Sequence, residues 1–341
     1  MSKIIIGIHG LRNKPPDNVL KKWWKQSICE GLELIGHPHF FYKFELVYWA
    51  HFNYPEPLNP DEKDAKNPLF IEDPYHPAKE FLSDRSPKFR DRILSLIGKG
   101  FVAIFRKNGI FNFTAVADVM VRHFFRDLYV YYCEAITDDD KAPRLAKEII
   151  REELAQVLRK HRKKDILLIA HSMGSIIAYD VLTFSLPDIK IDTFVTIGSP
   201  LGIPAVIEKH VSEEMIALRK KEATPKTPDS VTRNWYNFLD IRDEVPLDRK
   251  LHKIYKENSH KVKPKDVYVF NNYEYNDQEN PHKSYGYLRT PEMAQVVHEF
   301  LNRGKSKVVI WLAERITRLF RKAQIGYSLL GLFQNFKIRK P

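Results

Sequence analysis

The sequence predicts an α/β fold in which a mostly parallel sheet carries helices on both faces, with a helical insertion and a C-terminal amphipathic helix appended. Three observations predict it. Short apolar runs recur, and most alternate with segments whose apolar residues fall at helical spacing. The runs are apolar at successive positions, as in Ile166-Leu167-Leu168-Ile169-Ala170, which suits strands covered on both faces. The chain has 341 residues, 43% hydrophobic and 29% charged, enough for a full core and unlike collagen, a rod or a low-complexity chain.

Ile4 to His9 is the first strand. Pro15-Pro16-Asp17 then opens a helical pattern from about Val19 to Leu34, and Phe40 to Trp49 is the next strand, completing one βαβ unit. Leu145 to His161 carries Leu145, Ile149, Leu154, Val157 and Leu158 among charges, as a helix covering one sheet face does. Strand Asp165 to Ala170 follows, then a helix from Met173 to about Phe184. Strands are expected at Asp192 to Ile197, Trp235 to Leu239 and Val267 to Phe270, with a last core helix from Pro291 to about Leu301.

This gives a core of residues 1–52 and 144–302, an insertion over 53–143 and a tail over 303–341. The insertion begins Pro-rich, continues as a basic, apolar, helical segment from about Arg90 to Cys133, and closes with Asp138-Asp139-Asp140. Such a cap is either an added structural layer or a lid. The run Ile4 to Ile8 is too short for a signal sequence, and no stretch reaches the ~18 uncharged apolar residues of a membrane span. Cys29 and Cys133 are the only cysteines, so no disulfide framework is expected and a reducing, cytoplasmic setting is.

The chemistry concentrates in Leu167-Leu168-Ile169-Ala170-His171-Ser172-Met173-Gly174-Ser175. A strand runs into a serine flanked at minus two and plus two by the tiny residues Ala170 and Gly174, and a helix follows at once. A sharp strand-to-helix turn of this kind holds the serine strained, with its Oγ pointing out of the sheet, and larger flanking side chains would collide with it. Free N–H groups at the start of the helix favour a developing oxyanion.

These residues resemble the nucleophile elbow of the α/β-hydrolase fold, in particular of lipase-like and esterase-like serine hydrolases, with alanine in place of the first glycine of G-x-S-x-G. Ile8-His9-Gly10-Leu11 is similar to the His-Gly turn that follows an early strand in these proteins. The resemblance implies an oxyanion hole made by the N–H groups of Leu11 and Met173, with His9, Gly10 and Gly174 in supporting roles. It also implies the chain order serine, acid, histidine. Asp240 and Asp243 both follow the Trp235 strand; Asp243, in the turn before Val245-Pro246, is the preferred acid and Asp240 the alternative. Among the later histidines, His252 and His260 precede the last strand and His298 falls inside a helix. His282, between the last strand and the last core helix, is therefore the expected base. Thr196-Ile197-Gly198-Ser199-Pro200-Leu201-Gly202 resembles the Gly-Ser-Pro segment lining the neighbourhood of the nucleophile in the same family.

The implied function is a serine ester hydrolase acting on a lipid or other acyl ester near a membrane surface. A thioesterase or acyltransferase would use the same three residues, and a catalytically silent scaffold acting as a membrane adaptor is a reading of another class. No cofactor and no metal are expected: His37-Pro38-His39 lacks companion ligands at zinc spacing, and Asp138-Asp139-Asp140 lacks the rest of a calcium loop.

The net charge of +12 is unevenly placed. Residues 303–341 hold ten lysines and arginines against Glu314 alone, and residues 83–127 hold nine against four acidic residues, which leaves the remainder close to neutral. In the tail, Val308, Leu312, Ile316, Leu319, Phe320 and Ala323 recur at helical spacing. Such a helix suits the surface of an anionic membrane, with Trp311, Phe320 and Phe333 buried. Packing on the protein itself is the alternative, and nucleic acid is not expected because no recognition module accompanies the charge.

Overall fold

The computed structural model describes residues 2–39, 41–78, 130–132, 135–136, 144–218, 224–246 and 250–322. Six strands form one sheet: β1 (Lys3–Ile8), β2 (Phe44–Val47), β3 (Asp165–His171), β4 (Ile191–Ile197), β5 (Val231–Leu239) and β6 (Pro264–Tyr268). Their order is β2-β1-β3-β4-β5-β6 and every pairing is parallel. The chain builds outward from β1 to β2, then returns to the other side of β1 and builds outward again from β3. Strand order therefore reverses between β1 and β3, and the crevice above their carboxyl ends is where such sheets place a site.

Two helix layers cover the sheet. On one face lie α1 (Asp17–Leu34), α5 (Ser284–Leu288) and α6 (Pro291–Asn302); on the other lie α2 (Ala146–His161), α3 (Met173–Asp180) and α4 (Pro204–Leu218). Successive strand residues serve opposite layers: Ile4, Ile6 and Ile8 pack with Leu154, Leu158 and Ile177, whereas Ile5 packs with Trp24, Ile28 and Leu32. Gly7 belongs to the Trp24 side. A Cβ there would meet the Trp24 ring at 2.8 Å, so the missing side chain is what lets α1 approach the sheet.

Most sheet and helix segments match the sequence reading, and the departures have physical causes. The last strand is Pro264–Tyr268 rather than Val267 to Phe270. It is an edge strand with a polar start, where proline is tolerated and apolar patterning is weak. β5 starts four residues before Trp235, through the polar stretch Val231-Thr232-Arg233-Asn234. The second strand is shorter than expected, Phe44–Val47. Helices α4 and α5 are additional. The expected helical run from Arg90 lies outside the described residues up to position 129, as do Cys133, Asp138-Asp139-Asp140 and the tail beyond 322; residues 130–132 are helical.

The tail helix, α7 (Lys307–Lys322), follows a turn at Gly304 with φ +79°. Lys3, the first residue of β1, donates to the carbonyls of Leu301 and Arg303, and Arg303 pairs with Asp192 near the start of β4. Glu314 on α7 accepts from His37 Nδ1 at 2.8 Å, and Thr317 is buried. The tail therefore docks at the amino ends of the strands.

Candidate active site

The nucleophile elbow forms where β3 ends. Ser172 has φ 53° and ψ −128°, a conformation that strains a side-chain-bearing residue and aims it out of the sheet. Its N–H is held by the Ile197 carbonyl at 3.0 Å, and Met173 starts α3 immediately after it. Two glycines beside it, Gly174 and Gly10, are required by contact. A Cβ on Gly174 would lie 2.6 Å from the His9 carbonyl oxygen, and one on Gly10 would lie 2.6 Å from Ser172 Cβ. The turn after β1 thus touches Ser172, with Leu11 one residue further along.

His9 is built into this turn. Its Nδ1–H donates to the Gly10 carbonyl at 2.8 Å, its Nε2 accepts from the Trp49 N–H at 3.1 Å, and its ring stacks on Trp49. Both ring nitrogens are occupied, so His9 shapes the turn and has no proton to exchange with a substrate.

His282 lies above the elbow, its Nε2 3.1 Å from Ser172 Oγ. Its Nδ1 faces Asp243, at 2.9 Å from Oδ2 and 3.0 Å from Oδ1. The carboxylate is fully buried and the imidazole is 14% exposed, so the pair meets solvent on the histidine side. Asp240, the alternative acid, points elsewhere: it accepts from the Asn271 N–H at 2.6 Å and pairs with Arg242 at 2.8 Å.

A family model described as PGAP1-like alpha/beta domain matches residues 139–236, the stretch that contains β3, the elbow, β4 and most of β5. The chain has an α/β-hydrolase fold. The matched segment ends before Asp243 and His282. Comparison with curated proteins finds none that matches.

Several residues of this hydrolase-fold site escape the sequence reading. Tyr287 Oη donates to Asp243 Oδ2 at 2.7 Å and accepts from the Asp240 N–H at 2.9 Å, tying both aspartates to α5. His171 Nε2–H donates to the His282 carbonyl at 2.8 Å, and Asn271 Nδ2 donates to the carbonyls on either side of His282, those of Pro281 and Lys283, each at 2.8 Å. Gly198, at φ +53°, passes beside the acid–base pair; a Cβ there would meet Asp243 Oδ2 at 2.9 Å and the His282 ring at 3.0 Å. Gly198 belongs to the Thr196 segment that the resemblance places beside the nucleophile; for His171, Asn271 and Tyr287 the only sequence signal is a polar residue before the serine. Replacing Tyr287 with phenylalanine removes one hydrogen bond to the carboxylate, and kcat should fall about tenfold with KM unchanged, measured on a soluble acyl ester.

The described start of the insertion straps across the two loops that frame Ser172. At one end the Leu58 N–H bonds the Lys14 carbonyl at 2.9 Å, beside the turn that holds Leu11. At the other, Asp73 accepts from Asn280 at 2.8 Å and pairs with Lys283 at 3.4 Å, next to His282. Tyr273 Oη donates to the Pro74 carbonyl, and Arg289 to that of His76.

Tertiary structure also gives His37 companions that its sequence neighbourhood lacks. Potential metal-donor atoms of His37, His298 and Glu314 lie within 4.8 Å of one another, at the tail-docking end of the sheet. The His37 and His298 rings stack and Glu314 accepts from His37, so these groups already satisfy one another.

Two buried histidines set a pH dependence of stability. Burial is the largest influence on both His9 and His171, and it holds each well below the ordinary imidazole range. The folded protein keeps them neutral where the unfolded chain would protonate them, so their contribution is complete above about pH 6.5 and is lost as pH falls towards the folded values. Each should lower stability by about 1.4 kcal/mol per pH unit below that point. Urea midpoints compared at pH 7.5 and pH 5.5 should show the loss, and His171→Asn should reduce the slope.

Proposed function

We propose that this protein is a serine hydrolase of carboxylic acyl esters that works through an acyl-enzyme on Ser172. The observation that carries the reading is the unbroken line from Asp243 through His282 to Ser172 Oγ at hydrogen-bonding distances. With its Nδ1–H donated to Asp243, the imidazole presents Nε2 as a base to the serine hydroxyl. Ser172 attacks the ester carbonyl while His282 takes the proton. The N–H groups of Met173 and Leu11 receive the tetrahedral oxyanion. His282 then protonates the leaving alcohol, and water attacks the acyl-serine by the same route in reverse.

The PGAP1-like domain supports hydrolase chemistry in general, and the burial of Asp243 supports a role in fixing the imidazole tautomer. The test is a burst experiment with a p-nitrophenyl acyl ester. It should release p-nitrophenol in an initial phase stoichiometric with protein, and mass spectrometry should find the acyl group on the peptide carrying Ser172. A full-length, folded protein that shows no burst, no acyl adduct and no steady release of p-nitrophenol above a Ser172→Ala control would overturn the reading and leave the silent scaffold in its place.

A further inference from the structure

The tail helix is amphipathic in an unusual sense: the face it turns to the protein is not its apolar one. Ile310, Ala313, Glu314 and Thr317 lie against the body, with Glu314 bonded to His37 and Thr317 buried. Val308, Val309, Trp311, Leu312 and Ile316 face outward and are 45–65% exposed. Self-packing is thus satisfied by a narrow stripe, and a continuous strip of large apolar side chains remains uncovered among the described residues. Isolated exposed apolar residues are ordinary, but five on two and a half turns of one helix are not.

Charge specifies what the strip fits. Helical spacing sets Trp311 and Arg315 on one flank of the line Val308, Leu312 and Ile316, in a segment whose sequence also carries Lys307, Arg318, Arg321 and Lys322. The Arg315 guanidinium lies 4.9 Å from the Trp311 ring centroid, which brings a cation to the edge of the apolar strip. An apolar strip bordered by aromatic and basic residues matches a boundary that is apolar below and anionic above, the headgroup region of a charged bilayer. A protein partner would need no such single-signed border. Glu314, the one acidic residue of the segment, faces the body.

The location adds a constraint. α7 docks at the amino ends of the strands, whereas Ser172 follows the carboxyl end of β3, which at about 3.3 Å per residue places them roughly 20 Å apart on opposite poles of the sheet. We propose that the outer face of α7 is a contact surface for anionic lipid bilayers, and that it holds the protein by the pole opposite Ser172, with the crevice facing away from the bilayer it grips. On this arrangement the tail localises the protein without feeding substrate from that bilayer. The lipid assignment stands independently of the ester-hydrolase reading, and the opposite-pole placement, read through soluble-ester turnover, rests on it.

The experiment uses the full chain and the variant Leu312→Glu/Ile316→Glu, whose substituted positions are exposed and remote from Ser172. Co-sedimentation is measured with phosphatidylcholine vesicles containing phosphatidylserine and with phosphatidylcholine alone, at low and high salt. The wild type should bind the anionic vesicles, weaken in high salt, and lose at least tenfold in partitioning on double substitution. The rate on a water-soluble ester should be the same for both proteins, with or without vesicles. Wild type that fails to bind, or a variant that binds equally well, would overturn the lipid assignment. Conversion of a wild-type dimer to a monomer by the same substitutions, seen by sedimentation velocity without vesicle binding, would overturn it in favour of a second copy of this chain. Vesicles that strongly change soluble-ester turnover would overturn the opposite-pole placement.

Discussion

Ser172→Ala is expected to reduce turnover of an activated acyl ester by on the order of 10⁴-fold or more, and to abolish labelling by a fluorophosphonate. The size follows from the division of labour at the site. In the proposed mechanism the hydroxyl forms the covalent bond, so His282 and Asp243 have no nucleophile to activate without it. The residue also sits at φ 53° and ψ −128°, where a side chain costs about 1 kcal/mol or more relative to glycine. Ser172→Gly should therefore be as inactive as the alanine variant yet more stable than wild type by about 1 kcal/mol, measured by urea unfolding. A glycine variant no more stable than wild type would mean that the elbow stores no strain.

The largest expected effect on stability is at Arg151. This α2 residue is almost fully buried, and its Nη2 donates to Asp180 at 2.6 Å and to Glu213 at 2.9 Å, while Nε donates to Tyr131 Oη at 2.9 Å. Tyr131 in turn donates to Asp180, and His210 on α4 lies 3.0 Å from the other carboxylate oxygen. The cluster joins α2, α4 and the end of α3, the helix that begins at the nucleophile. Burial alone would push the Asp180 carboxyl up, but Arg151 and His210 outweigh it and hold the group below the ordinary carboxylate range. Arg151→Met leaves that buried carboxylate without its main counter-charge and should cost about 3–5 kcal/mol.

The sign of the accompanying pH dependence is also set. In the wild type the depressed Asp180 contributes stability that is present above its unfolded value and lost as pH falls through the folded one. In the variant, burial dominates, the folded value rises, and protonation relieves the penalty. The destabilisation should therefore be larger at pH 8 than at pH 5, read from urea midpoints. Arg151→Met/Asp180→Asn should recover part of the loss.

How much of this was legible in the sequence depended on the range of the interaction. Strands β1, β3 and β4 are readable because their apolar runs record burial on both faces in consecutive residues. The start of β6 is not, because an edge strand opening on Pro264-Lys265-Asp266 is held by pairing with β5 and not by its own pattern, and only its end at Val267-Tyr268 is apolar enough to read. The choice between Asp240 and Asp243 stayed open along the chain, since both follow the same strand within one turn. Only the folded chain separates them by partner: Asn271 and Arg242 occupy Asp240, and His282 faces Asp243.

The sequence by itself determined the elements whose cause is local. These are the alternation of strand and helix, the serine between Ala170 and Gly174 at a strand-to-helix turn, and the concentration of positive charge in the tail. Tertiary structure alone decided what depends on which distant groups meet. It brought His171, Asn271 and Tyr287 to the acid–base pair, assembled the Arg151 cluster, and turned the apolar stripe of α7 outward at the pole opposite Ser172. The physical reason is that periodicity and backbone strain are written into neighbouring residues, whereas a hydrogen-bond partner or a buried face is a property of the packed molecule.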